Sequence, residues 1–392
     1  MQNFVLHNQT KVIFGKGRIQ EIGEETAQLG NKVLLVTGQS SIRKNGIYDL
    51  VSQSLSDAGV TFIDYPGVRS NPLLDHVRKG IALAREHQVE AIVAVGGGSV
   101  IDSAKAISAG ALVEHDVWKF FNGKKSIKQT LPLACVLTLA AAGSEMNGGM
   151  VITNEDTRQK FGAGNKLLNP RVSILDPTAT FTVPKDYTAY GAVDAIAHIL
   201  EFYFTTEDAQ TPVQDRFMEG LVINIMDSCN RVLINPEDYN ARADLMWCAT
   251  LALNGWTAAG LGRVGFPMHM IEHSLSALYD VPHGAGLSVI MPAWMTYQMQ
   301  NNPDKFAQFA ERVFAVTKGD KNERAAAGIN RLKNWFQEVN APTDLSQLGI
   351  PEKEISKIAL NALGLAKIWR LSEYSQEMIE AILVSATNRI TA

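Results

Sequence analysis

Ala91-Ile92-Val93-Ala94-Val95-Gly96-Gly97-Gly98-Ser99-Val100-Ile101-Asp102 is the stretch that decides how the first half of the chain folds. The apolar run Ala91–Val95 has the length and composition of a buried strand. Three glycines then turn the chain. Ser99 opens a helical pattern through Ser108, with Asp102 three residues on at capping-box spacing. Glycines let a backbone come close to a phosphate, and the N–H groups at a helix start favour an anion. The same residues also suit a tight strand-to-helix turn with an ordinary cap. The stretch is neither Gly-x-Gly-x-x-Gly nor a Walker loop, so by itself it names no nucleotide.

On either side the strand-then-helix pattern repeats. Val33–Thr37 reads as a strand followed by a helix over Tyr48–Ala58, and Thr61–Tyr65 as a strand followed by a helix over Leu74–His87. Pro132–Thr138 and Val172–Asp176 are further strands. Continuous apolar strands separated by helices predict a parallel sheet covered on both faces. After Asp176-Pro177 and Val183-Pro184 the character changes: from Ala189 onward apolar residues recur at helical spacing, as in Phe217–Val232, Asn240–Ala259 and Arg324–Val339. The expectation is an α/β domain over residues 1–180 and an all-helical domain over 181–392, in keeping with a 392-residue chain that exceeds one ordinary core.

The net charge of −4, with no basic block longer than Lys124-Lys125, gives no reason to expect nucleic acid or an anionic membrane as partner. Cys135, Cys229 and Cys248 are sparse and odd in number, which argues for buried thiols in a reducing compartment. Met1-Gln-Asn-Phe-Val-Leu-His7 lacks a basic start followed by an apolar core, and no run approaches the roughly 18 apolar residues of a membrane span. A soluble, cytoplasmic protein is expected.

A second anion-binding candidate follows the first clear strand: Thr37-Gly38-Gln39-Ser40-Ser41-Ile42-Arg43-Lys44. An acidic residue at such a strand end often bonds a ribose 2′-hydroxyl and would repel a 2′-phosphate. Here the place offers Gly38 and the hydroxyls of Ser40 and Ser41, with Arg43 and Lys44 close by. That suits NADP better than NAD; a solvated polar loop is the plainer alternative.

Four of the eight histidines lie between His198 and His283. Asp194 and His198 are four apart among apolar neighbours, so on a helix they share one buried face. Such groups need a strong partner, either each other or a cation. His269-Met-Ile-Glu-His273 repeats the four-residue spacing, and Pro282-His283-Gly284 follows on a loop. Three imidazoles and a carboxylate can fill a tetrahedral shell around a divalent transition metal. His269-x-x-Glu-His273 also resembles an inverted zincin motif, the signature of a metallohydrolase, although such an enzyme has no use for the α/β half upstream.

At this point the chain resembles the iron-containing (group III) alcohol dehydrogenases, and within them the butanol-dehydrogenase-like, NADPH-dependent aldehyde reductases. The resemblance runs essentially end to end, through Gly96-Gly-Gly-Ser-x-x-Asp-x-x-Lys105, Gly143-Ser-Glu145, Asp176-Pro177, Asp194-x-x-x-His198 and His269-x-x-x-His273 with Pro282-His283-Gly284. It implies a Rossmann-like NADP-binding domain followed by an all-α metal-binding domain, the dehydroquinate-synthase-like fold. It makes Asp194, His198, His269 and His283 the metal ligands and His273 a residue near the nicotinamide. Gly97, Gly98 and Ser99 match the pyrophosphate turn, with Asp102 near the cofactor, and Thr138, Asn147 and Lys160 match positions lining it. Gly38, Ser40 and Ser41 match the place where a 2′-phosphate is accepted.

One departure stands out, because Ala142 replaces a threonine that helps hold the cofactor in the family. The implied activity is hydride transfer between NADP(H), rather than NAD(H), and a small primary alcohol or aldehyde such as butanol or butanal. It is assisted by one divalent metal, Zn²⁺ or Fe²⁺, with His273 orienting substrate or relaying a proton. Phe266, Trp256 and Met270 suggest an apolar pocket, and a homodimer is the family expectation. A lyase on the same fold is the non-redox alternative; it would need many basic residues for an anionic substrate, and the surroundings of Gly265-Phe266-Pro267 are apolar.

Overall fold

The computed structural model describes residues 1–207 and 210–387. They form two compact units: His7–Val183 with Asn235–Gly255, and Met1–Leu6 with Pro184–Ile234 and Trp256–Ala392. The chain passes from one unit to the other four times, where the sequence reading placed a single boundary at 180/181.

In the α/β unit the chain runs β1 (Lys11–Phe14), α1 (Ile22–Ala27), β2 (Lys32–Gly38), α2 (Ser41–Lys44), α3 (Ile47–Asp57), β3 (Thr61–Val68) and α4 (Leu74–Glu86). It continues through β4 (Ala91–Gly96), α5 (Gly98–Gly110), α6 (Trp118–Phe121), β5 (Leu133–Leu137), β6 (Gly149–Asn154), β7 (Gln159–Gly164) and β8 (Val172–Leu175). Six strands make one parallel sheet in the order β1-β8-β5-β4-β2-β3, and β6 and β7 form a separate antiparallel hairpin. The central strands are buried on both faces, which is why they read as unbroken apolar runs. Val33, Leu35, Val93, Val95 and Val136 face a core closed by Ile22, Val51 and Leu55, while Leu34, Val36, Ile92 and Ala94 are equally inaccessible on the other face.

The helical unit opens with α7 (Lys185–Thr205) and α8 (Pro212–Ile234). Next in sequence, α9 (Tyr239–Ala252) belongs to the α/β unit. Then follow α10 (Pro267–Tyr279), α11 (His283–Gln298), α12 (Pro303–Phe314), α13 (Lys321–Glu338), α14 (Ile355–Trp369) and α15 (Gln376–Ser385). The helix expected to reach Ala259 stops at Ala252, and the chain then turns through Gly255 and Gly260, both at positive φ. Among the described residues no helix is long and apolar enough to cross a membrane.

The core sets the behaviour in alkali. Cys135 and Cys248 are buried outside any disulfide, and burial pushes both thiols up to about 12 from an ordinary 9.0. Burial likewise raises Tyr65 to about 12 and lifts Tyr203 and Tyr374 well above the ordinary phenol range. Groups raised on folding hold their protons when the unfolded chain has already lost them, so the unfolded state is favoured as pH rises. Resistance to denaturant should therefore decline between about pH 9 and 12. Urea midpoints across that range provide the check, and an unchanged midpoint at pH 10.5 would contradict it.

Candidate metal centre and cofactor cradle

α7 is buried around most of its circumference, and Asp194 and His198 project from adjacent turns of it. α10 starts with Pro267 in its first turn and brings in His269, and α11 begins at His283 directly after Pro282. These helices converge on one oxygen. Asp194 Oδ1 lies 3.6 Å from His198 Nδ1, 3.5 Å from His269 Nε2 and 3.6 Å from His283 Nε2. These separations are long for hydrogen bonds. They are close to the distance of about 3.4 Å between neighbouring ligand atoms in a tetrahedral shell with bonds of about 2.1 Å.

Asp194 Oδ1, His198 Nδ1 and His269 Nε2 are buried without a hydrogen-bond partner. Orphaned buried polar atoms are costly, and three aimed at one point fit a cation. The structure thus brings together all four ligands expected from the sequence.

Two carboxylates that the sequence reading did not single out fix the rings. Glu201 on α7 accepts from His269 Nδ1 at 2.5 Å and from the backbone N–H groups of Met268 and His269 at the start of α10, where a helix favours an anion. Glu272 on α10 accepts from His283 Nδ1, and its other oxygen accepts from Ser276 Oγ. Both glutamates are fully buried. Each therefore keeps the proton on the Nδ1 side of its imidazole and leaves Nε2 turned to Asp194. This disposes of the inverted zincin reading: Glu272 faces His283 and Ser276, and of the motif's two histidines only His269 stands against Asp194.

The electrostatics agree. Burial alone would raise the Asp194 carboxyl, but the imidazoles of His198, His269 and His283 hold it well below the usual carboxylate range. Burial pushes His198 down to about 3, which keeps its lone pair available. Burial also opposes charge on His269, yet Glu201 and Asp194 outweigh it and lift the ring to about 10. Two carboxylates around one ring call for a positive charge there, proton or metal.

Backbone packing sets where α11 begins. A Cβ on Gly284 would stand 2.1 Å from the Tyr190 carbonyl oxygen, so only glycine lets α11 lie this close to α7.

His273 lies one turn beyond His269 and groups with Glu272 and His283 rather than with Asp194. Its ring meets Trp369 edge-on at 5.4 Å, and Phe266 meets His269 edge-on at 5.9 Å. Phe266 also contacts Trp369, giving an aromatic wall beside the ligand rings. Of the three residues expected to line an apolar pocket, Phe266 is there. Met270 is sealed in the core, and Trp256 is 44% exposed. Trp369, at the far end of α14, carried no sequence signal.

In the α/β unit several of the residues expected at the cofactor stand at the carboxyl edge of the parallel sheet. Thr37 pairs with Val95, so the loop Gly38–Ser41 after β2 and the turn Gly96–Ser99 after β4 lie side by side. Thr138 follows β5, its N–H donating to the Gly96 carbonyl. The turn is tight: a Cβ on Gly97 would stand 3.1 Å from Leu139, and one on Gly98 3.2 Å from the Ala142 methyl, so either neighbour would have to shift. α5 then starts with the unpaired N–H groups of any helix N-terminus, a ready anion site.

The capping box does not form. Gly97 is the residue at the cap, without a side-chain bond, and Ser99 sits inside the first turn. The Asp102 carboxylate accepts instead from Ser144 Oγ at 2.6 Å and from Val151 N at 2.9 Å.

Behind the turn stands Lys105, fully buried, donating to Ser144 Oγ, to the carbonyls of Asn147 and Gly149 and to Asn147 Oδ1 at 2.7–3.3 Å. Desolvation lowers it to about 8 and raises its neighbours Asp102 and Glu145. Asn147, expected to line the cofactor, also donates to the Gly143 carbonyl and accepts from Gly149 N, so its side chain shapes this loop. Glu145 accepts from Thr250 Oγ1 on α9, a bond that helps explain why α9 joins this unit. Lys160 on β7 is buried and donates to Asn71. Arg43, counted above as positive charge near Ser40 and Ser41, is paired with Asp64 on β3, and its guanidinium lies 3.6 Å over the Tyr48 ring.

Comparison with known proteins accords with this arrangement. Residues 9–177 match the family model for iron-containing alcohol dehydrogenase, and residues 188–387 match that for the C-terminal part of the Fe-containing alcohol dehydrogenase family. A probable NADH-dependent butanol dehydrogenase of Bacillus subtilis is 40% identical over 98% of this chain and 99% of its own. The NADPH-dependent aldehyde reductase YqhD of Escherichia coli is 36% identical over 91% of each. The crystal structure of NADH-dependent butanol dehydrogenase A from Thermotoga maritima superposes with a TM-score of 0.95 at 45% identity, covering 99% of both chains. The chain belongs to the iron-containing alcohol dehydrogenase family, in its butanol-dehydrogenase-like branch.

Proposed function

We propose that this enzyme interconverts a short primary alcohol and its aldehyde with a nicotinamide dinucleotide and one divalent ion, Zn²⁺ or Fe²⁺. The observation that carries the proposal is the single Asp194 oxygen 3.5–3.6 Å from three imidazole nitrogens, with buried atoms there lacking any partner. Asp194, His198, His269 and His283 would hold the ion. When bound, the ion supplies a Lewis acid for the substrate oxygen and the nicotinamide supplies or accepts the hydride. The chain contributes the rest. Glu201 and Glu272 keep the ligand rings oriented, Phe266 and Trp369 present an apolar wall that excludes water, and the turn Gly97–Ser99 binds pyrophosphate.

His273 holds the substrate hydroxyl or passes its proton. Alanine at His273 should lower kcat by about 10²-fold or more, the usual contribution of a positioned acid–base group, while the metal content stays at one ion per chain. Metal analysis of the purified variant decides the point, since loss of the ion would make His273 a ligand.

For the cofactor, the loop Gly38–Ser41 offers hydroxyls and no carboxylate, which supports acceptance of the NADP 2′-phosphate. Arg43, turned to Asp64, lends that preference less than the sequence suggests. The reading is tested with butanal and NADPH or NADH, before and after chelation, with Zn²⁺ or Fe²⁺ restored. Chelator-sensitive oxidation of cofactor is the expected result. Absence of oxidation with every metal and aldehyde would overturn it. The buried, unbridged cysteines are compatible with a reducing cytoplasm, where we place the enzyme.

A further inference from the structure

We propose that Asp64 is a specificity-determining residue that restrains the enzyme's preference for NADP(H) by withholding Arg43 from the 2′-phosphate. The inference rests on the dinucleotide reading above and adds a residue to it. Arg43 lies on α2, the short helix that begins at Ser41, two residues beyond the hydroxyls placed to meet the adenosine ribose. A guanidinium there would be the natural partner of a 2′-phosphate, because its planar fork matches phosphate oxygens in pairs.

The structure gives that fork other work. Arg43 Nη2 donates to Asp64 Oδ2, and the guanidinium carbon stacks over Tyr48. Asp64 sits on the edge strand β3 in register with Leu35 of β2, two residues before the Thr37–Gly38 strand end. Its second oxygen, Oδ1, is buried without a hydrogen-bond partner.

Two consequences follow for a cofactor with a 2′-phosphate. Arg43 must leave Asp64 and Tyr48 to reach it, and an exposed ion pair and a stacked guanidinium each shift such an equilibrium by a factor of a few. The phosphate, carrying nearly two negative charges, would also lie near the Asp64 charge. A ribose bearing only a 2′-hydroxyl meets neither penalty. The pair thus narrows the gap between the two cofactors, although the loop itself contains no acid.

Calorimetric binding of adenosine 2′,5′-bisphosphate and of adenosine 5′-monophosphate, which mimic the adenosine ends of NADP and NAD, tests this on the full chain without turnover. Asp64→Asn should tighten the bisphosphate roughly fivefold and leave the monophosphate unchanged. Adding Arg43→Gln should abolish the gain. Asp64→Asn should also lower the KM for NADPH more than that for NADH. Equal effects on both nucleotides, or a gain that survives loss of Arg43, would overturn the proposal. So would unchanged bisphosphate binding where the monophosphate still binds. Failure of the wild-type protein to bind the monophosphate or NADH at all would instead overturn the dinucleotide reading, and this inference with it.

Discussion

Asparagine in place of Asp194 is expected to leave the purified protein unable to keep its divalent ion through dialysis against a mild chelator, with turnover falling at least about 100-fold. The magnitude follows from the part Asp194 plays. Loss of an outer partner of a metal-ligating histidine already costs about 10–100-fold in affinity, and Asp194 is the one anion among the four proposed ligands. Its Oδ1 also faces all three imidazoles at once. An amide keeps the shape but not the charge, and three neutral nitrogens around a neutral oxygen hold a dication poorly.

The unliganded fold should survive, because the amide N–H₂ can donate to an imidazole nitrogen that is now orphaned. Thermal unfolding separates these effects. Added Zn²⁺ should raise the wild-type Tm, by the equivalent of about 2.7 kcal/mol at a hundredfold excess over Kd, and should barely move the variant. Equal metal-induced shifts in the two proteins would remove Asp194 from the ligand set.

Methionine in place of Lys105 should destabilise the protein by about 3–5 kcal/mol, the range found when one member of a buried charged set is removed. Lys105 is wholly buried and its ammonium ties together Ser144, Asn147 and Gly149, while Ser144 and Val151 hold Asp102. Without the cation, Asp102 and Glu145 are left as buried acids with only hydroxyl and amide donors. The loop Gly143–Gly149 loses its anchor beside the phosphate turn, so cofactor affinity should fall as well.

The pH dependence has a definite sign. Burial holds Lys105 at about 8, below its ordinary 10.5, so its charged form is disfavoured on folding. That penalty is fully present below pH 8 and fades as pH rises from about 8 to 10.5, partly offsetting the alkaline loss from the buried thiols and phenols. The methionine variant should lack this offset. Denaturant unfolding at pH 7 measures the main effect, and a loss below about 1 kcal/mol would show the network to be dispensable.

Much of this was legible in the sequence, for reasons that differ by element. The buried parallel strands are apolar on both faces, so β2, β4 and β5 stand out as unbroken runs. β1 has only four residues and one buried side chain, and the β6–β7 hairpin turns through Arg158 at positive φ between glycine-bearing strands, so neither was anticipated. The proposed metal ligands were legible because i, i+4 spacing of acid and imidazole has few other uses. Glu201 and Glu272 were not, because a buried glutamate on a helix has the same letter as an exposed one. Each lies three residues after a ligand on its own helix, yet serves a ring on the next. Arg43 failed in the opposite direction: its charge was visible, but Asp64 is 21 residues away and only strand pairing brings the two together.

The division of the chain between its two units also bears on how the protein is made. The sheet and its phosphate turn are complete in sequence by Val183, but the unit they belong to also needs the segment that ends at Gly255. A ribosome adding roughly 5–20 residues per second takes several seconds to bridge that interval. Throughout it the Glu145 carboxylate lacks Thr250, and the surface that α9 will cover stays bare. Meanwhile Met1–Leu6 wait for a unit whose other segments begin only at Pro184. The nascent chain is therefore most vulnerable while α7 and α8 are being synthesised, and synonymous codon changes that slow translation there should lower the yield of folded enzyme more than the same changes placed after Gly255.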